Sequence, residues 1–156
     1  EHFHHLWTMN PDGTGQMTLF GNQHPGDVYL DAKPLPGGRE LVMINSPAHG
    51  QQEHEGRVAL VRLDLGPDAP GAQTLLKPGK NFRDPYPLSA DAFLVAQEQR
   101  LLWMNRHGET RELFRLTGAL ARNGTGLHEP RLIRARSSCG IAQSRRPRPR
   151  LCGCGS

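Results

Sequence analysis

Short apolar runs separated by polar, glycine-bearing turns recur along the chain, and their spacing predicts strands. Leu6-Trp7-Thr8-Met9 runs into Asn10-Pro11-Asp12-Gly13-Thr14-Gly15, where Gly13 and Gly15 can take the positive φ of a tight hairpin. Strands are predicted over 3–10 and 16–20, then 41–45, 57–65 and 72–76, then 92–97, 100–105 and 112–116. The second and third groups each follow a Pro-Leu segment that supplies a further strand. A polar loop at 46–56 lengthens the first complete group, whereas its counterpart after residue 97 is short.

The pattern repeats. Leu6-Trp7-Thr8-Met9-Asn10 is echoed by Leu102-Trp103-Met104-Asn105, and Asp31-Ala32-Lys33-Pro34-Leu35 by Asp84-Pro85-Tyr86-Pro87-Leu88. At a constant offset of 53 the Asp, the Pro, the Leu and a following Leu-Val pair coincide, Leu41-Val42 with Leu94-Val95. The distance from each hairpin to the next proline is steady, from Asn10 to Pro34, Asp64 to Pro87 and Asn105 to Pro130, so Glu129-Pro130-Arg131-Leu132 should open a further unit. A repeat of roughly 40 to 55 residues built as a four-stranded meander is the signature of a β-propeller blade. The expectation is an all-β chain forming a partial β-propeller over 1–136, with complete blades at 31–78 and 84–117 and partial blades at 3–20 and 128–136. A small β-sandwich whose hairpins look alike by chance is the alternative.

Composition agrees with many short elements, since 18 Gly and 13 Pro punctuate 156 residues and leave no uninterrupted helical run outside about 110–120. The net charge of +4 changes meaning once it is located. Of the 19 Lys and Arg, Arg145, Arg146, Arg148 and Arg150 lie beyond residue 136, leaving 15 cations against 15 acids in the body. A polyanion partner is therefore arguable only for the tail. Its alternating prolines and lack of aromatics read as a solvated, disordered segment over 137–156, so no nucleic-acid partner is expected. Cys139, Cys152 and Cys154 all lie in that tail. No apolar run approaches the roughly 18 residues of a membrane span, and the absence of an initiating Met inside a strand-like run suggests a piece of a longer protein.

Candidate chemistry is sparse. His2, His4 and His5 with His24 offer metal ligands, but adjacent His4 and His5 face opposite sides of a strand, and the expectation is exposed polar residues. His49, Glu53, His54 and Glu55 share the long loop and read as solvated or packed on a neighbouring domain. The better candidates lie where each innermost strand begins, because in a propeller these segments ring one mouth of the central channel. They supply His24 and Asp27, then Asn81, Arg83 and Asp84, then His128 and Glu129. Asp31 and Asp84, at matching places, suit carboxylates that accept turn amides. No Gly-x-Ser-x-Gly elbow or phosphate-cradling loop before a helix is present, so catalytic residues are not assigned.

The turn Met9-Asn10-Pro11-Asp12-Gly13-Thr14-Gly15 resembles the Met-Asn-x-Asp-Gly-x-Gly hairpin of TolB-like β-propellers. Asp84-Pro85-Tyr86-Pro87-Leu88-Ser89, Phe93-Leu94-Val95, Leu102-Trp103 and Leu127-His128-Glu129-Pro130 together resemble the middle domain of the hydrazine synthase alpha subunit, over about residues 3–136. That resemblance implies a bacterial, periplasmic or extracytoplasmic propeller docked against other domains or subunits. It also implies oxidoreductase chemistry borne by c-type haem in flanking domains. This chain has no Cys-x-x-Cys-His, Cys152-Gly153-Cys154 having the wrong spacing, so no cofactor is expected in it. The resulting expectation is a non-catalytic scaffold or docking segment, with a redox or metal-dependent enzyme whose channel mouth binds a small ligand as the alternative.

Overall fold

A computed structural model describes residues 4–24, 27–47, 54–66, 68–76 and 79–133. The predicted tail at 137–156 lies outside the described residues, as do His2, His49 and Glu53. Ten strands follow in chain order: β1 (Leu6–Thr8), β2 (Met17–Phe20), β3 (Val28–Pro34), β4 (Glu40–Ser46), β5 (Arg57–Arg62), β6 (Gln73–Leu75), β7 (Phe82–Pro87), β8 (Ala92–Gln97), β9 (Arg100–Asn105) and β10 (Thr110–Arg115). One short helix, α1 (Gly118–Arg122), comes after them and buries nothing. All pairings between these strands are antiparallel, giving a β1-β2 hairpin and two four-stranded meanders, β3-β4-β5-β6 and β7-β8-β9-β10. The chain is all-β, and the order and count of strands in each unit match the sequence pattern. No helix among the described residues is long and apolar enough to cross a membrane.

The registers correct two of the sequence equivalences. Leu35 N donates to Glu40 O (2.9 Å) around one turn and Leu88 N to Ala92 O (2.8 Å) around the other, so the second turn is one residue shorter. Leu41 consequently pairs with Pro34 as Phe93 pairs with Pro87. Leu41 is thus the counterpart of Phe93 and Val42 of Leu94, and the two Leu-Val pairs do not coincide. The first hairpin shifts likewise. Asn10 N donates to Thr14 O (2.8 Å) as Asn105 N does to Glu109 O (2.9 Å), and the bulge before Phe20 matches that before Phe114. Trp7 is therefore the counterpart of Leu102, not Trp103. Because side chains alternate, a slip of one residue moves a side chain to the opposite face of its sheet.

Once the registers are set, the middle sheet has one face turned to the first hairpin and one to the last sheet. Leu41 and Met43 of β4 join Ala59 and Val61 of β5, with Tyr29 and Ala72, in a cluster that takes in Leu6 and Phe20 of the first hairpin. The alternate residues Val42, Ile44, Val58 and Leu60 pack on Phe82, Phe93, Val95, Leu102 and Met104 of the next sheet. Strands β4 and β5 are apolar without alternation because both their faces are covered. Gly56 sits where these layers close. It exchanges backbone hydrogen bonds with Phe82 (3.0 and 3.1 Å), and a β-carbon there would lie 2.2 Å from Asn45 O. Ile44→Ala, which empties space between two sheets, should cost about 2–5 kcal/mol in chemical denaturation, whereas Leu113→Ala on exposed β10 should stay within roughly 0.5 kcal/mol.

Candidate functional site

The first strand of each four-stranded unit carries a bulge at the same place. Pairing skips between Leu30 and Lys33 of β3 and between Arg83 and Tyr86 of β7, and in each gap an aspartate takes positive φ, Asp31 at 55° and Asp84 at 49°. Aspartate tolerates this left-handed region better than most residues, and a bulge re-aims its side chain. Glu129, in the segment expected to open a further unit, has φ 48°. The three acids lie 53 and then 45 residues apart. Their carboxylate oxygens converge to within 4.8 Å of one another.

A second set of contacts has the same spacing. Tyr29 N donates to His4 O (3.0 Å), Phe82 N to Gly56 O (3.0 Å) and Leu127 N to Glu98 O (2.8 Å). Each bond ties the start of one unit's first strand to the approach to the preceding unit's third strand. The stretch from Leu127 through Glu129 is therefore held as Tyr29–Asp31 and Phe82–Asp84 are, although no strand is formed there among the described residues.

Of the sequence candidates, the structure gathers Arg83, Asp84, His128 and Glu129. Asp84 is only 8 % exposed; its Oδ2 accepts the Glu129 amide at 2.9 Å and lies 3.7 Å from His128 Nδ1. The expected role of Asp84 as an acceptor for its own turn is thus corrected: the bulge places it inside the strand, and the amide it accepts belongs to the next unit. Arg83 Nε donates to Glu55 Oε1 (2.8 Å), and its Nη2 closes an ion pair on the same oxygen. Arg83, Glu55, Glu98, Gln99, His128 and the Gly124–Gly126 backbone line a polar cleft of about 480 Å³. Neither Glu55 nor Glu98 stood among the residues favoured from sequence; the constant spacing to Leu127 was the signal that could have found Glu98.

His24 and Asp27 lie elsewhere. The His24 ring packs on Phe20, with centroids 4.7 Å apart, beside the core between the first hairpin and the middle sheet. Asp27 Oδ2 accepts Tyr29 Oη and Asn45 Nδ2, both at 3.1 Å. Burial, with the Asp27 charge second, pushes the Tyr29 hydroxyl above its ordinary range. Asn81 takes φ 68° at the approach to β7 and does not line the cleft. The Asn10–Gly15 turn is exposed and remote from these groups; there Asp12 Oδ1 accepts Thr14 N (3.0 Å) and Oγ1 (2.7 Å).

Three carboxylates this close can share a proton or hold an oxygen-seeking cation of the calcium or magnesium type. Burial, then the negative charge of Asp84 and a hydrogen bond to it, raise the Asp31 carboxyl above the ordinary aspartate range, with Lys33 opposing and Glu129 adding to the rise. What the geometry defines is an all-β chain of meander units in which Asp31 and Asp84, on two first strands, meet Glu129 at one point. Compared with known protein families, with curated protein sequences and with solved structures, the chain matches none.

A raised carboxyl binds its proton more tightly folded than unfolded, so its contribution is present at low pH and is lost as pH rises through the folded value. Asp31→Asn keeps a side chain that tolerates positive φ and removes that loss. It should raise stability at pH 7, read as a higher melting temperature than that of the wild type. Thermal melts of the two proteins should converge below about pH 3.9, and a variant less stable than wild type at neutral pH would contradict the assignment.

Proposed function

We propose that this chain is a non-catalytic scaffold or docking segment of a β-propeller, of the kind its likeness to TolB-like propellers and to the hydrazine synthase alpha subunit middle domain implies. One observation carries the reading: Asp31, Asp84 and Glu129, equivalent in three successive units, converge to within 4.8 Å. Units arranged radially about an axis bring equivalent inner positions together, whereas sheets stacked as a sandwich keep them about 10 Å apart. The side chains that sequence reasoning favoured are largely engaged in ties between units, Arg83 with Glu55 and Asp84 with the Glu129 amide, which suits a frame better than a catalytic centre.

A second reading is favoured by the polar cleft beside Arg83 and His128, which could receive a small ligand in an enzyme whose redox groups sit in neighbouring domains. The coding sequence around this segment separates the two. Further Asp-x-x-Pro-Leu units on either side support the scaffold. Cys-x-x-Cys-His motifs in the flanks add the redox role, and flanks with neither contradict both. The radial arrangement is tested within the chain by Asp31→Cys with Asp84→Cys, the three tail cysteines being changed to Ser. Dibromobimane, which fluoresces when it bridges two neighbouring thiols, should bridge the pair in the native state and not in denaturant; equal labelling in both states would rule the arrangement out.

A further inference from the structure

The connection from β10 to the segment at Leu127 is longer than those that fill the same place earlier in the chain. Leu76 N donates to Val58 O (2.9 Å) and Phe82 N to Gly56 O (3.0 Å), which leaves five residues, 77–81, between the two bonded positions. Leu116 N donates to Gln99 O (2.9 Å) and Leu127 N to Glu98 O (2.8 Å), and here ten residues, 117–126, lie between. Eight residues, 21–28, likewise separate Phe20 from Tyr29, against twelve, 115–126, between their counterparts Phe114 and Leu127. Five residues are enough to join the two places, so the added length, which holds α1, is more than the connection needs. A compact excursion whose ends sit side by side is an Ω-loop, a form that often carries function.

Both ends of this loop are pinned to neighbouring residues of one turn, Glu98 and Gln99, between β8 and β9. Between the pins it is lightly held. Among the described residues, the one hydrogen bond that reaches 118–126 from the sheets is Gln99 Nε2 to Ala121 O at 2.7 Å. The amides of Asn123, Gly124 and Thr125 close bonds inside the loop itself, and α1 buries no residue. Gly118 and Gly124 take φ of 68° and 70° with open space where a β-carbon would lie, so the backbone turns at both without the strain of a side chain. A segment with so few contacts to the rest opens at low free energy.

The same loop walls the polar cleft. Gly124, Thr125 and Gly126 share the lining of its 480 Å³ with Glu55, Arg83 and Glu98. We infer that residues 117–126 form a lid on this cleft, latched by Gln99 and turning about the bonds at Leu116 and Leu127, so that its opening admits a small ligand to the Glu55–Arg83 pair. The inference rests on the second reading above, in which the cleft receives such a ligand, and adds how entry is controlled. Movement stops at Leu127. Beyond it Glu129 N is bonded to Asp84 Oδ2 (2.9 Å), which keeps the carboxylate cluster in place while the lid moves.

A thiol inside the cleft tests this on the full 156-residue chain. Glu55→Cys is made with the three tail cysteines changed to Ser, and its reaction with methyl methanethiosulfonate is followed by mass spectrometry. Labelling of the native protein is expected to be slower than in denaturant. Gln99→Ala, which removes the latch, should speed it about three- to tenfold, as the loss of one hydrogen bond allows. Removing Gly118–Arg122 leaves a five-residue connection, equal to 77–81; it should speed labelling at least as much, with far-UV circular dichroism of the strands and a cooperative melt retained. Labelling that neither variant speeds overturns the lid and leaves the cleft open to a ligand. A chain that unfolds without α1 makes the loop part of the frame and overturns the lid as well. A thiol that stays unlabelled in the native state of all three proteins closes the cleft to small molecules, and the second reading falls with the lid.

Discussion

The middle sheet is covered on both faces, and the order of the molecule depends on that. Leu41 and Met43 point one way along β4 and Val42 and Ile44 the other; each set needs a different neighbouring layer to leave water. Burying one such side chain is worth about 1.5–3 kcal/mol, so β4 and β5 alone tie the first hairpin and the last sheet to the middle one. A sheet with a single apolar face would be satisfied by a single neighbour and would end the stack. Two apolar faces call for a layer on each side.

Backbone hydrogen bonds also tie those layers together. Each first strand is bonded through its opening residues to the approach to the preceding third strand, at His4, Gly56 and Glu98 in turn. Gly56 shows how close that approach is, since any β-carbon would strike the Asn45 carbonyl. Two residues beyond each bond an acid takes positive φ and its carboxylate meets the others, Asp31 and Asp84 within bulges of β3 and β7. The resulting carboxylate cluster is unfavourable electrostatically, and burial together with mutual repulsion raises Asp31. The cost falls at the point where the three acids meet, away from the exposed hairpin turn.

Much of the plan was legible along the chain. The four-strand order, the segment opening at Leu127 and the equivalence of Asp31 with Asp84 follow from recurring Asp-x-x-Pro-Leu and apolar runs, because turn residues and strand residues differ sharply in backbone preference. Arg83, Asp84 and His128 were brought together as the spacing of the units suggested. His24 and Asp27 were not, since the Phe20 and Tyr29 rings draw His24 toward the core and Tyr29 and Asn45 hold Asp27. Glu55 and Glu98 could be reached only through three-dimensional pairing.

Strands, their grouping and their repetition are properties of local apolar patterning and turn chemistry, and these are written along the chain. Only the tertiary structure decided which face each side chain takes. A turn one residue shorter at Ser89–Asp91 and the extra residue Thr8 between Trp7 and Met9 are passed over by pattern matching, yet each reverses an alternation of period two. Leu94 thus stands where Val42 does, and Trp7 where Leu102 does. That reversal leaves Leu102 buried at 3 % where its counterpart Trp7 is exposed at 67 %. Convergence of three carboxylates from residues 31, 84 and 129 likewise depends on how distant segments of chain meet, which no single stretch encodes.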